Sequence, residues 1–140
     1  MNLAKIIVLG LCAATPFAAH AADDDWFKGK LFPPELVLKS ASSLNLTDPQ
    51  RKTIRSEIVK VQTAVAGVDV EVLEEGLAIQ EAIDKLPIDR AVVLAHADKV
   101  FAAEARKKRA WLEMLVNIKN VLTSAQAEIL RKLVGGAAQP

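Results

Sequence analysis

The chain has 140 residues, the size of a single domain, with 18 Lys and Arg residues against 17 Asp and Glu residues. This near balance gives no electrostatic indication of binding to nucleic acid or to a membrane surface. Hydrophobic residues make up 51% of the chain but aromatic residues only 4%, with no Tyr, and this Ala-, Val- and Leu-rich composition favours an all-α fold.

Residues 1–21 have the three parts of a secretory signal peptide. Lys5 supplies the positive charge, an apolar core too short to span a membrane follows, and Ala19-His20-Ala21 ends with small residues where a signal peptidase cleaves. We therefore expect export with cleavage after Ala21. A lipoprotein carrying lipid on Cys12 is the alternative, although Leu11 stands where a small residue would be expected.

Cleavage would remove Cys12, the one cysteine of the chain. The mature protein would then have no disulfide, no thiol chemistry and no cysteine metal ligand, which suits an oxidising compartment. Residues 22–32 are expected to form a flexible segment that begins with the solvated run Asp23-Asp24-Asp25. The aromatic residues after it, Trp26, Phe27 and Phe32, dock either on a partner or, as we favour, on the domain's own core.

A short helix is predicted to open at Pro33-Pro34-Glu35, because Pro suits a first helical turn and Glu favours the positive end of the helix dipole. It is expected to extend to about Leu44. Two glycines, Gly67 and Gly76, fall inside the helix that follows, at a cost of about 1 kcal/mol each relative to Ala. A bend or the close approach of another backbone is expected near Gly76.

A long helix is predicted from Thr47 to Leu86, since apolar residues recur there at alternating steps of four and three residues. Thr47 and Gln50 have the spacing of a capping box, and Pro87 ends the run. At about 1.5 Å per residue this helix would span roughly 55 to 60 Å, so the protein must be elongated.

A second long helix is predicted from about Asp89 to Val121, and the short connection makes the two long helices antiparallel neighbours. Thr123 and Gln126 then form a second capping box, which starts a short helix ending at Gly135-Gly136. The expected organisation is therefore a helical domain at residues 33–134, a long antiparallel hairpin flanked by two short helices, and a disordered tail at residues 135–140.

Opposite charges meet in the middle of the predicted hairpin. Four acidic residues of the first long helix come opposite Glu104 and a run of four bases; the acidic residues are Asp69, Glu71, Glu74 and Glu75. These charges form interhelical ion pairs under the simpler interpretation. Because four consecutive bases, Arg106 to Arg109, cover a full helical turn, some of them must also point away and line a basic surface.

The paired motifs Leu46-Thr47-Asp48-Pro49-Gln50 and Leu122-Thr123-Ser124-Ala125-Gln126 resemble the periplasmic LTxxQ family. That family includes the Spy and CpxP stress chaperones and the ZraP and CnrX-like metal-resistance proteins. The resemblance extends from Pro33 to about Leu133. Phe32-Pro33-Pro34-Glu35-Leu36 and residues 115–120 are similar to the metal-resistance branch.

The resemblance implies a periplasmic, cradle-shaped homodimer that binds unfolded or misfolding envelope proteins without ATP. A two-helix hairpin buries little apolar surface on its own, which independently favours a dimer. Client contacts implied by the resemblance are basic residues near apolar ones, namely Arg51, Arg55, Arg106, Lys107, Lys108 and Arg109. Thr47, Gln50, Thr123 and Gln126 are interpreted as structural caps.

A heavy-metal resistance or sensor protein is the alternative function. The metal-binding members use several histidines on an early helix, whereas here His96 is the only His left after cleavage. One His beside Asp98 or Glu104 is more typical of an ordinary helix surface, and Met114 of a packing residue. We therefore expect no cofactor, and we keep His96 as a weak candidate ligand.

An enzyme is not indicated, because the sequence has no nucleophile elbow, phosphate loop, Cys/His pair or metal-hydrolase motif. Nothing after the signal peptide is apolar enough for stable membrane insertion. The sequence therefore favours a client-binding protein with no nucleic-acid partner.

Overall fold

A computed structural model describes residue 27 and residues 29–136. This part of the chain contains four α-helices and no strand: α1 (Pro34–Lys39), α2 (Asp48–Ile83), α3 (Arg90–Val121) and α4 (Ser124–Gly136). The long helices α2 and α3 pack against each other as a hairpin, with the two short helices beside it. The predicted fold class is thereby confirmed. The predicted signal peptide, Trp26 and residues 137–140 lie outside the described residues.

Helix α2 begins at the predicted capping box. The Gln50 backbone N–H donates to the Thr47 hydroxyl over 3.4 Å, and the Thr47 N–H donates to the Gln50 side chain over 2.9 Å. The helix ends at Ile83, three residues before the predicted end at Leu86, because residues 84–87 already form the turn. Its 36 residues correspond to a length of about 54 Å.

Helix α1 is shorter than predicted, ending at Lys39 instead of about Leu44. The chain turns after it, and Asn45 takes a left-handed conformation with φ of 47°. Asn tolerates this conformation better than most residues do. The turn brings Leu44 and Leu46 into the core, where a continued helix could not have placed both.

Helix α3 begins one residue after the predicted start, because Asp89 is its N-cap. The Asp89 carboxylate accepts hydrogen bonds from the backbone N–H groups of Ala91 (2.9 Å) and Val92 (3.3 Å). Helix α4 includes Gly135 and Gly136, which were predicted to end the helix and to begin the disordered tail. Outside the neighbouring backbone of α2, no atom lies within 4 Å of where a Cβ would stand at Gly67 or Gly76, so of the two expected features the close approach of another backbone is absent there.

The core lies at one end of the hairpin, which we call the base, where α1 and α4 meet the long helices. Its buried side chains come from all four helices, from the residues before α1 and from the connection between α1 and α2: Phe32, Val37, Leu44, Leu46, Ile54, Val61, Met114, Ile118 and Leu130. The other end, the tip around residues 83–92, has no comparable cover. Large apolar side chains therefore remain exposed along the hairpin toward the tip.

Candidate binding surface of the hairpin

The two capping boxes meet at the base and bond to each other. Gln50 Nε2 donates to Gln126 Oε1 over 2.9 Å and to the Val121 carbonyl over 2.8 Å. Gln126, which is buried, donates to the Leu44 carbonyl over 3.0 Å. The polar groups of both glutamines are thus occupied within the fold. These hydrogen bonds join the start of α2 to the start of α4, which indicates a structural role.

The predicted interhelical ion pairs are present at two bases of the basic run. Lys107 donates to Asp69 over 2.7 Å, and its side chain is only 13% exposed between the helices. Arg106 pairs with Glu71. Arg109 instead pairs within α3, donating to Glu113 over 3.0 Å. Three of the four bases are therefore engaged in ion pairs inside the chain.

The remaining candidate bases have different surroundings. Arg51 is half-buried, and its Nε is buried without a hydrogen-bond acceptor among the described residues. Arg55 and Lys108 are exposed, and neither forms an ion pair within residues 29–136. The structure therefore does not gather the six predicted bases onto one surface.

Helix spacing divides the outside of the hairpin into two faces. We call the residues of each long helix that pack against the other long helix its contact residues. The residue just before each contact residue lies on the same side of the hairpin in both helices. Two pairs across the helices show this: Glu57 and Asn117, joined by a hydrogen bond of 2.8 Å, and Glu71 and Arg106. We call this side the charged face. Its members are Glu57, Lys60, Glu71, Glu74, Lys99, Arg106, Arg109 and Glu113.

Residues just after the contact residues lie on the opposite side, where exposed apolar side chains stand among polar ones such as Arg55, Gln62 and Asp69. Val59 follows Ile58, Leu73 follows Val72, and Phe101 follows Val100; the three exposed side chains are 60%, 63% and 67% accessible. Val70, Leu77, Ala105 and Leu112 lie two residues from contact residues in both directions, so they are on the outer surface of their helices, next to this side. The apolar face, as we define it, comprises the exposed apolar residues of this side and of the adjoining outer surface: Val59, Ala66, Val70, Leu73, Leu77, Leu94, Phe101, Ala105 and Leu112.

Both unpaired bases lie on this apolar face. Arg55 follows the contact residue Ile54, and Lys108 lies seven residues after Phe101. The repeat of apolar residues between the helices did not predict this face. A second seven-residue repeat, at Val59, Ala66 and Leu73, carried the signal.

The apolar face is large for a single chain. Its seven Val, Leu and Phe residues are between 39% and 67% exposed, whereas scattered single apolar residues are the usual pattern on the surface of a monomer. Such a patch is typical of a surface that contacts another polypeptide.

A polar contact interrupts the packing halfway along the hairpin. Glu75 Oε2 lies 2.5 Å from His96 Nδ1, and Lys99 Nζ donates to Glu75 Oε1 over 3.0 Å. The hydrogen bond with His96 and that from Lys99 hold the pKa of the Glu75 carboxyl below its ordinary value. Within residues 29–136 no group of three or more His, Cys, Asp and Glu side chains converges as a metal site would require.

Comparison of the chain with protein-family models, curated proteins and solved structures gave no match. None of the described helices combines the length and the apolar character of a membrane span.

Proposed function

We propose that this protein is a periplasmic, ATP-independent chaperone or envelope-stress accessory protein of the LTxxQ family. It binds unfolded or misfolding envelope proteins and forms a homodimer. The observation that supports this function best is the exposed apolar face of an otherwise regular helical hairpin. The proposal concerns binding alone and requires no catalytic residue and no cofactor.

An extended apolar face suits an unfolded client. Unfolded chains expose apolar side chains in no fixed order, so a long surface of Val, Leu and Phe can contact them without a defined register. The exposed bases Arg55 and Lys108 add attraction for acidic segments and speed encounter at low salt. The ion-paired bases Arg106, Lys107 and Arg109 contribute less, because their charge is balanced within the chain.

An aggregation assay tests the proposed client site. The mature protein should suppress light scattering by a chemically unfolded client with no ATP and no metal. Phe101→Ser should reduce this protection severalfold, since Phe101 is the most exposed large side chain of the face. Val92→Ser is the matched control, because Val92 is also exposed but lies with the charged face. Equal protection by both variants would contradict the apolar site.

The alternative is a periplasmic heavy-metal resistance or sensor protein, and the Glu75–His96 contact is the observation that favours it. An imidazole and a carboxylate 2.5 Å apart can supply two ligands. Other ligands would then have to come from a second copy or from solvent. Titration with Zn²⁺, Ni²⁺ or Cu²⁺, with His96→Gln as control, decides between the two functions. Protection that appears only with added metal would favour the sensor.

Export is tested by the intact mass of the protein recovered from the periplasm. Cleavage after Ala21 should leave a chain that begins at Ala22. A mass that retains residues 1–21, or that carries lipid on Cys12, would contradict the predicted signal peptide.

A further inference from the structure

Helix α4, at the base, carries apolar residues on a side that does not face the core. Its buried side chain Leu130 packs into the core. Ala125, Ile129 and Leu133 follow one another at steps of four residues, so they share one side of the helix, and all three are exposed. Ile129 is 38% and Leu133 is 45% accessible. Lys132, three residues after Ile129, is exposed on the same side, which we call the outer side of α4.

The charges of the chain are unevenly divided between the base and the rest of the hairpin. Residues 29–56 and 115–136, which we assign to the base, have eight Lys and Arg residues against three Asp and Glu residues, a net charge of +5. Residues 57–114 have eight against eleven, a net charge of −3. The balanced composition of the whole chain therefore conceals a basic end.

Most of this positive charge is not neutralised within the fold. Of the eight basic residues of the base, only Arg131 forms an ion pair within residues 29–136, and its partner is Glu128. The other seven keep their charge available to a partner: Lys30, Lys39, Arg51, Lys52, Arg55, Lys119 and Lys132.

We infer that the outer side of α4, with the basic end around it, docks on a lipid surface that carries anionic phosphate headgroups. Ile129 and Leu133 enter the headgroup layer, and the surrounding lysines and arginines attract the phosphates. The attachment is peripheral and reversible, because two large apolar side chains add little to the electrostatic attraction. It uses a surface that the proposed function leaves unassigned.

The near-zero net charge of the chain does not oppose this attachment. At physiological ionic strength charges are screened beyond about 8 Å, whereas the 36 residues of α2 span about 54 Å. A lipid surface in contact with the base is therefore attracted by the base and hardly repelled by the distant acidic residues. The excess of acids along the hairpin turns the tip away from the lipid.

An extended lipid surface fits this end better than a small soluble anion does. The seven bases come from all four helices and from the residues before α1, so they do not converge on one pocket. A planar anionic surface attracts such a distribution without requiring convergence. A soluble polyanion could also be attracted, but it offers no apolar surroundings for Ile129 and Leu133.

The acidic run Asp23-Asp24-Asp25 opposes the attraction. It precedes Phe27 by two to four residues, and the Phe27 carbonyl accepts the N–H of Lys30 over 2.9 Å at the base. Replacing the three acids together, Asp23→Asn, Asp24→Asn and Asp25→Asn, should therefore strengthen vesicle binding severalfold.

Co-sedimentation with lipid vesicles tests the attachment. The mature protein should bind vesicles that contain phosphatidylglycerol at low salt, and rising salt should release it. It should bind vesicles of phosphatidylcholine alone severalfold more weakly. No binding to phosphatidylglycerol vesicles at low salt would overturn the inference.

A pair of matched charge reversals locates the contact. Lys132→Glu should weaken binding to phosphatidylglycerol vesicles about tenfold or more, because it reverses a charge on the outer side of α4. Lys108→Glu changes the net charge equally at an exposed lysine of the hairpin and should leave vesicle binding nearly unchanged. Equal losses would mean that the whole chain is attracted in no fixed orientation, and the assignment to α4 would be wrong.

An apolar substitution separates lipid from the other partners. Leu133→Ser should weaken vesicle binding severalfold, while Leu77→Ser, at an exposed leucine of the hairpin, should not. If Leu133→Ser binds vesicles as the parent does and soluble polyphosphate displaces both, the basic end binds a soluble polyanion. If Leu133→Ser instead lowers the mass found by sedimentation without vesicles, a second copy covers α4. Either result rejects the lipid contact, and neither depends on the aggregation assay of the proposed function.

Discussion

The side-chain amides of Gln50 and Gln126 exchange hydrogen bonds at the base of the hairpin, with Gln50 Nε2 2.9 Å from Gln126 Oε1 and Gln126 Nε2 3.3 Å from Gln50 Oε1. Each glutamine oxygen also accepts the backbone N–H of its own capping threonine over 2.9 Å. The start of α2 and the start of α4 are therefore joined through one polar network, although 76 positions separate the two glutamines.

Replacing Gln126 with Ala should lower the free energy of unfolding by about 2 kcal/mol or more. The change removes hydrogen bonds to Thr123, Gln50 and Leu44, and a buried polar group left unsatisfied costs about 1–3 kcal/mol. Urea unfolding followed by circular dichroism measures the loss. Gln62→Ala, at an exposed position of α2, should stay within about 0.5 kcal/mol of the parent. Equal losses would contradict the network.

The capping threonines are predicted to act on stability alone. Thr47→Ala and Thr123→Ala should each cost about 0.5–2 kcal/mol, as lost N-caps do. Thr→Ser at either position keeps the hydroxyl acceptor and should recover most of the loss. Client protection measured well below the unfolding temperature should not change. A variant of normal stability that no longer binds clients would show that the threonine is a binding residue.

The sequence predicted the hairpin well because its signals are local. Proline and the capping threonines mark the helix ends, and the seven-residue repeat between Ile54 and Leu86 specifies the contact side of α2. The predicted end of α1 was wrong because residues 40–44 form turns instead of continuing the helix. The connection between Gln50 and Gln126 was missed because it depends on how the two ends of the chain meet.

The binding surface was harder to predict than the fold. Charge spacing predicted interhelical ion pairs for the run Arg106 to Arg109, and Arg106 and Lys107 form them. The role of Lys108 depends on which side of α3 it occupies relative to α2. Pairs across the two helices, such as Glu57–Asn117, are needed to show which side of α3 carries Lys108.

Neighbouring lysines should respond differently to charge reversal. Lys107→Glu sets a carboxylate against Asp69 at a position largely enclosed by the two helices, so it should lower the free energy of unfolding by more than 1 kcal/mol. Lys108→Glu changes an exposed residue without an ion pair in the described part of the chain, and its effect should stay within about 0.5 kcal/mol.

Client binding should show the reverse order. In protein that remains folded, Lys108→Glu should weaken aggregation suppression, and more strongly at low salt, where screening is least. Lys107→Glu should have a smaller effect per folded molecule. Undiminished protection by Lys108→Glu would mean that the base is only a solvated residue.

Acid should weaken the middle of the hairpin through Glu75. Its folded-state pKa lies below the ordinary 4.5 because the charged form is stabilised by His96 and Lys99. A carboxyl with a lowered pKa contributes stability above the unfolded-state pKa and loses it as the pH falls through the folded-state value. Stability should therefore decline below about pH 4.5, and Glu75→Gln should make that decline shallower. Glu74→Gln, a neighbour without an ion pair in residues 29–136, should leave the decline unchanged. The Glu75 carboxyl carbon, followed by NMR, should titrate below 4.5, and an ordinary pKa there would contradict the assignment.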